Sequence, residues 1–243
     1  MSEERRLTFL GHLRELRSCL VRSVIALVIA IPIAYFLTDK IFAILMQPVP
    51  GLHLVYTEIT EMLGIYLKVT LYASVAIVFP FIIYQAVMFI RPALTRREKG
   101  YLYILLPLIF ILFIGGVLFA YFVLLPPALN FLLTFGGDIA QPMIKVDNYI
   151  SVLVRLLFWL GMVFEIPLIM FFLSKIGILN TEILKKFRPW AYVLAFVLGG
   201  IITPTFDPIN QSLVAVPIII LYEFGTLLVR IARRKKEEVT QSM

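Results

Sequence analysis

Cysteine and histidine are nearly absent from this chain. Among 243 residues the only cysteine is Cys19, and the two histidines are His12 and His53. One thiol excludes a disulfide within the chain and a Cys-x-x-Cys metal pair. Two distant imidazoles leave little for a histidine-rich metal site or a Ser/His/Asp triad. No Gly-x4-Gly-Lys-Ser/Thr loop occurs, which argues against ATP hydrolysis. Neither a metal nor a cofactor is expected. Charge is scarce too: charged residues make up 15% of the chain, against about 25% in soluble domains. The start, MSEERRLTFLGHLRELR, is polar and charged. It lacks the apolar stretch of a signal peptide, so the first apolar segment should persist as an uncleaved span.

Apolar residues fill the space. They account for 61% of the chain, and mean hydropathy is +0.96. Soluble domains run at about 45–50% apolar. The chain therefore reads as an all-α, polytopic integral membrane protein, one domain over 1–243. Six spans are expected at 20–37, 67–90, 101–125, 149–173, 189–202 and 213–229. Leu10, Leu13, Leu16 and Leu20 put an amphipathic helix before the first span, and a helix of that kind could lie along the membrane surface. Residues 38–66 and 128–148 form two outside loops, with Met62–Tyr66 adding a turn of helix. Pro126–Pro127 should end span 3. The Gly115–Gly116 pair permits close helix contact. Spans 5 and 6 are short, separated by Thr203-Pro204-Thr205-Phe206-Asp207-Pro208, and should thin the bilayer locally.

The net charge of +7 does not point to nucleic acid, because the basic residues are split among short loops. Apart from Lys40, Lys68, Lys145 and Arg155, every Lys and Arg lies in the N-terminal segment to Arg22, in the loops after spans 2 and 4, or at the C-terminal end. The positive-inside rule then puts both termini in the cytoplasm.

Span 4, Tyr149 to Leu173, holds Glu165 near its middle among apolar neighbours. A carboxylate there costs about 2.5–3.5 kcal/mol on insertion scales. It is either a structural glutamate hydrogen-bonded inside the bundle, or it lines a polar cavity used in transport or recognition. Arg155 lies about 15 Å along the axis from Glu165, too far for a direct ion pair, so each needs its own partner or water. On the cytoplasmic side, Glu15 and Glu98 stand in basic surroundings. They neutralise local arginines, or they form a paired acidic site for a basic peptide, since a guanidinium binds carboxylate in bidentate fashion.

Several motifs together resemble the TatC family of the twin-arginine protein translocase. They are His12-Leu13-Arg14-Glu15-Leu16-Arg17, Tyr84-Gln85 with Phe89, Pro92-Ala93-Leu94 followed by Glu98, Ala120-Tyr121-Phe122, Phe164-Glu165-Ile166-Pro167, and Thr203-Pro204 with Asp207 and Gln211. At the last turn Thr205 and Phe206 precede Asp207, where many members read Thr-Pro-Pro-Asp. The resemblance implies a concave, glove-like arrangement of six helices in the bacterial cytoplasmic (inner) membrane and no enzymatic activity. It implies binding of twin-arginine signal peptides on folded cargo through Glu15, Arg17, Phe89, Leu94 and Glu98, with Glu165 as the intramembrane polar residue. It also implies partner contacts at Thr203, Asp207 and Gln211. The partners would be the single-span TatA and TatB proteins, further copies of the chain and membrane lipid, with transport driven by the proton-motive force. An ion-coupled secondary transporter for a small solute is the alternative, since it too uses an intramembrane carboxylate and helix breaks. No inverted repeat supports it, and His12 and His53 on opposite sides argue against an intramembrane enzyme.

The topology has a direct check. In a Cys19→Ser background, His53→Cys, Asp138→Cys and Asp207→Cys should each react with an impermeant thiol reagent applied from outside. Labelling of position 138 only from the cytoplasm would overturn the orientation.

Overall fold

The computed structural model describes residues 9–48, 54–90, 96–134, 143–203 and 207–241. Its helices are α1 (Phe9–Met46), α2 (Glu61–Ile90), α3 (Arg96–Phe119), α4 (Leu125–Thr134), α5 (Val146–Val163), α6 (Ile166–Lys175), α7 (Thr181–Ile202) and α8 (Pro208–Gln241). A π-turn, Ala120–Leu124, joins α3 to α4 into one rod. A two-residue break joins α5 to α6 into another. The described residues thus make six rods, as many as the expected spans, but the last is not short: its apolar stretch Pro208–Ala232 has 25 residues. Five of the rods are long and apolar enough to cross a membrane. The sixth is α7, whose first half carries Glu182, Lys185, Lys186 and Arg188 ahead of its apolar part.

The α5–α6 rod is the central one. Half of its most apolar window is buried, against 11–33% for the other four. Two core clusters meet along it. Toward its start, Tyr149, Ile150 and Leu153 pack with Leu45, Ile65, Val69 and Leu125. Further along, Leu156, Leu160 and Val163 pack with Ala120, Ala195, Ile202 and Val214.

Close helix crossings depend on single glycines. A Cβ on Gly161 would lie 2.7 Å from the Phe113 ring, and one on Gly116 would lie 2.7 Å from the Leu160 carbonyl oxygen. Contact this tight suits membrane helices, where small residues let backbones approach. Only one member of the Gly115–Gly116 pair makes such a contact, because a Cβ on Gly115 would meet no atom within 4 Å. Between α1 and α2 the apolar packing includes one polar contact: the buried hydroxyls of Thr38 and Thr70 lie 2.9 Å apart.

Several boundaries differ from those expected. The amphipathic segment is not a separate surface helix. It is continuous with span 1, and α1 has 38 residues, about 57 Å at 1.5 Å per residue. Span 3 does not end at Pro126–Pro127, since α4 runs to Thr134. Both prolines fall in the first turn of α4, directly after the π-turn. Just before them, the Leu125 N–H reaches the Ala120 carbonyl, five residues back. That wider turn absorbs the clash that proline rings make with preceding carbonyls. The outside loops are correspondingly shorter. A two-residue parallel pairing, Leu54 with Ile144 and Val55 with Lys145, ties them together. The α2 helix begins at Glu61, just ahead of the turn expected over Met62–Tyr66.

The glycine crossings make a paired prediction. Gly161→Ala should lower the thermal midpoint in detergent by an amount equivalent to about 1–3 kcal/mol, the usual cost of overpacking. Gly115→Ala should change it by no more than about 0.5 kcal/mol. Equal effects would contradict the close α3–α5 crossing.

Candidate functional site

Glu165 sits in the break of the central rod. The cause is local. Pro167 has no N–H to donate, and its ring would strike the carbonyl four residues back, so the helix yields at Phe164–Glu165. There the Glu165 N–H turns to the Met162 carbonyl at 3.1 Å, a tighter i−3 bond. Helix α6 then restarts with the Ile169 N–H donating to the Glu165 carbonyl at 2.9 Å. By position Glu165 is the N-cap of α6, yet its side chain caps nothing.

Glu165 is 2% exposed. Neither of its carboxyl oxygens has a hydrogen-bond partner among the described residues. Neither reading made from the sequence holds as stated: among the described residues no hydrogen bond in the bundle holds the carboxyl, and it is shut away from any polar cavity. The reason is the Gly116–Gly161 crossing, which draws α3 against α5 one turn before Glu165 and sets the Phe164 ring beside that of Phe119, their centroids 5.3 Å apart. The other intramembrane charge, Arg155, has a local partner. Its Nε donates to the Ser151 carbonyl at 3.0 Å.

At the turn between α7 and α8, all three expected residues have roles within the chain. The Thr203 hydroxyl donates to the Gly199 carbonyl at 2.8 Å. Asp207 caps α8: its Oδ1 accepts from the Asn210 N–H at 2.8 Å and its Oδ2 from the Asn210 Nδ2 at 3.0 Å. Gln211 reaches across, and its Nε2 donates to the Phe196 carbonyl of α7 at 2.7 Å. The Asp-Pro helix start is legible as an N-cap followed by proline at the first helical position, although the family resemblance implies only a partner-binding role for Asp207.

Of the residues expected to meet a signal peptide, Glu15 and Arg17 lie on α1, with Arg17 exposed, and Phe89 lies near the end of α2. Leu94 lies outside the described residues. Glu98 is in the first turn of α3, but its side chain is outside the described part, and so is any pairing of it with Glu15.

Other links could not be read locally. The Tyr121 hydroxyl donates to the Ile44 carbonyl and the Tyr149 hydroxyl to the Leu45 carbonyl, both at 2.8 Å. They cap the end of α1, whose last carbonyls have no helical donor. Lys68 of α2 pairs with Asp147 of α5. Near the basic end, Arg188 and Tyr192 of α7 both donate to Glu223 of α8 at 2.6 Å. These partners are tens of residues apart, so no spacing rule links them.

Six rods, the central one broken and crossed at glycines with a carboxyl buried at the break, define a polytopic helical membrane protein. The description "Sec-independent protein translocase protein (TatC)" fits residues 11–217. A protein of that name from Aquifex aeolicus is 40% identical over 95% of this chain and 98% of its own length. One from Carboxydothermus hydrogenoformans is 37% identical over 96% and 97%. A crystal structure of the twin-arginine translocase receptor TatC superimposes with a TM-score of 0.83 at 40% identity, covering 91% of this chain and 99% of that one. The chain belongs to the TatC family, and the likeness bears out the expected fold.

The lack of a partner for the Glu165 carboxyl among the described residues has a measurable consequence. Glu165→Leu removes a buried polar group at nearly constant volume, so its thermal midpoint in detergent should equal or exceed that of the unsubstituted protein. A fall as large as that of Gly161→Ala would reveal an internal partner.

Proposed function

We propose that this protein is the membrane receptor and core subunit of a twin-arginine translocase in a bacterial cytoplasmic membrane. The observation that carries the proposal is the near full-length likeness to a solved twin-arginine translocase receptor, at 40% identity and a TM-score of 0.83. The protein works by binding, not by catalysis. It recruits folded cargo through twin-arginine signal peptides, assembles with TatA, TatB and further copies of itself, and uses the proton-motive force.

In this reading Glu15 and Glu98 receive the arginine pair, because two carboxylates complement two planar guanidinium groups. Arg17, Phe89 and Leu94 complete the peptide contact. Glu165 acts later and deeper. An unsatisfied buried carboxyl costs about 1–3 kcal/mol or more, and a polar group arriving from a signal peptide or partner helix would recover that cost. The α7–α8 turn, with Thr203, Asp207 and Gln211, is the partner contact. The hydrogen bonds of these three side chains to Gly199, Asn210 and Phe196 support that role by fixing them in place.

A purified-protein panel tests this. Glu15→Ala and Glu98→Ala should each weaken binding of a twin-arginine peptide about 10- to 100-fold, the value of a charge-assisted hydrogen bond of about 1.5–3 kcal/mol. The double change should cost less than the sum, because both acids serve one ligand. Glu165→Leu should keep peptide binding but lose transport. Unchanged peptide affinity in both single variants would reject the paired acidic site.

A further inference from the structure

Two cavities share a wall on the α1–α2–α5 side of the bundle. One, of about 320 Å³, is polar and is lined by Lys68, Tyr72, Asp147, Asn148, Ser151 and Arg155. The other, of about 430 Å³, is apolar and runs between α1, α2, α3 and α5; its lining includes Lys40, Ile41, Tyr72, Ala76, Phe113 and Phe158. Tyr72 belongs to both. Each is within the range of about 300–1,000 Å³ usual for ligand sites.

The lining of the polar cavity holds more positive than negative charge. Lys68 pairs with Asp147 and also donates to the Ser151 hydroxyl at 2.6 Å. Arg155 gives its Nε to the Ser151 carbonyl. Among the described residues its remaining guanidinium N–H groups have no hydrogen-bond partner. Two cations therefore face one carboxylate, and Lys40 adds a third cation at the apolar cavity. Depth matters as well. Arg155 lies nine residues past the start of α5 and Lys68 seven past the start of α2, about 13 and 10 Å along their helices. By the charge bias these are the outer ends, so both cations reach the headgroup boundary of the outer leaflet.

We propose that the two cavities form one site for a phospholipid of the outer leaflet. Its phosphate sits against the free face of the Arg155 guanidinium, beside Lys68. One acyl chain lies in the apolar cavity past Tyr72 and Ala76. The combination specifies an amphiphile: a phosphate alone would leave the apolar cavity unused, and an apolar ligand alone would leave the outer guanidinium N–H groups of Arg155 without a partner among the described residues. The site is separate from Glu165 and from the cytoplasmic acids, so it does not depend on the receptor role.

Native mass spectrometry of the full chain, titrated with phosphatidylglycerol, reads this directly. Arg155→Gln should weaken binding about ten-fold, and Arg155→Lys should restore most of it. Ala76→Phe should weaken binding by filling the chain cavity, with the thermal midpoint recorded to confirm folding. Lys185→Gln, an exposed cation on α7, should bind as the unsubstituted protein does, and millimolar inorganic phosphate should not displace the lipid. Undiminished lipid binding in Arg155→Gln would overturn the proposal. So would displacement by inorganic phosphate with Ala76→Phe silent, which would mark a simple anion site.

Discussion

Inside a hydrocarbon layer, backbone N–H and C=O groups find no water, and each must be satisfied within the protein. Most of this structure follows from that constraint. The rods are helical because helices satisfy themselves. Wherever a helix is interrupted, another group stands in. Tyr121 and Tyr149 take up the Ile44 and Leu45 carbonyls where α1 ends. A π-turn carries the chain into the prolines of α4. At Glu165 a tightened i−3 bond keeps the break from exposing the backbone. The Asp207 carboxylate caps α8 where the chain re-enters.

Against that background the ionisable side chains fall into two groups. Lys68 with Asp147, and Arg188 with Glu223, are matched pairs joining neighbouring helices near the bundle's ends. Partly exposed pairs of this kind contribute little to stability, about 0–1 kcal/mol. Their geometry fixes which helix faces meet. Glu165 differs, being buried with neither carboxyl oxygen hydrogen-bonded within the described chain. An apolar residue would be cheaper at that position. Polar groups kept in a membrane interior against their cost point to functional positions, which is why the proposed receptor reading includes Glu165.

The glycine crossings connect the two themes. Gly116 and Gly161 let α3 and α5 touch closely, and Gly225 does the same for α8 against Met170 and Pro167 of α6. These contacts close the bundle around the break and shut Glu165 away from open water. A wider crossing would leave room for solvent beside the carboxyl and remove the penalty that a partner could relieve. Packing thus decides the state in which the intramembrane carboxyl is held.

The sequence alone was enough for the class and the number of rods. Apolar length and loop charge are local properties, and a bilayer reads them locally. The break at Glu165 lies outside what the span pattern indicates, although Pro167 is its visible cause. The tertiary structure decided the rest. Prolines at Pro126–Pro127 do not end a rod when a π-turn precedes them. Gly116 is tight while Gly115 is open, because a crossing point depends on where the partner helix lies. Lys68 finds Asp147, and Tyr121 finds Ile44, across long stretches of chain. Whether Glu165 faced water or protein was likewise beyond the sequence, since burial is set by neighbours from other helices, and no spacing along one helix encodes them.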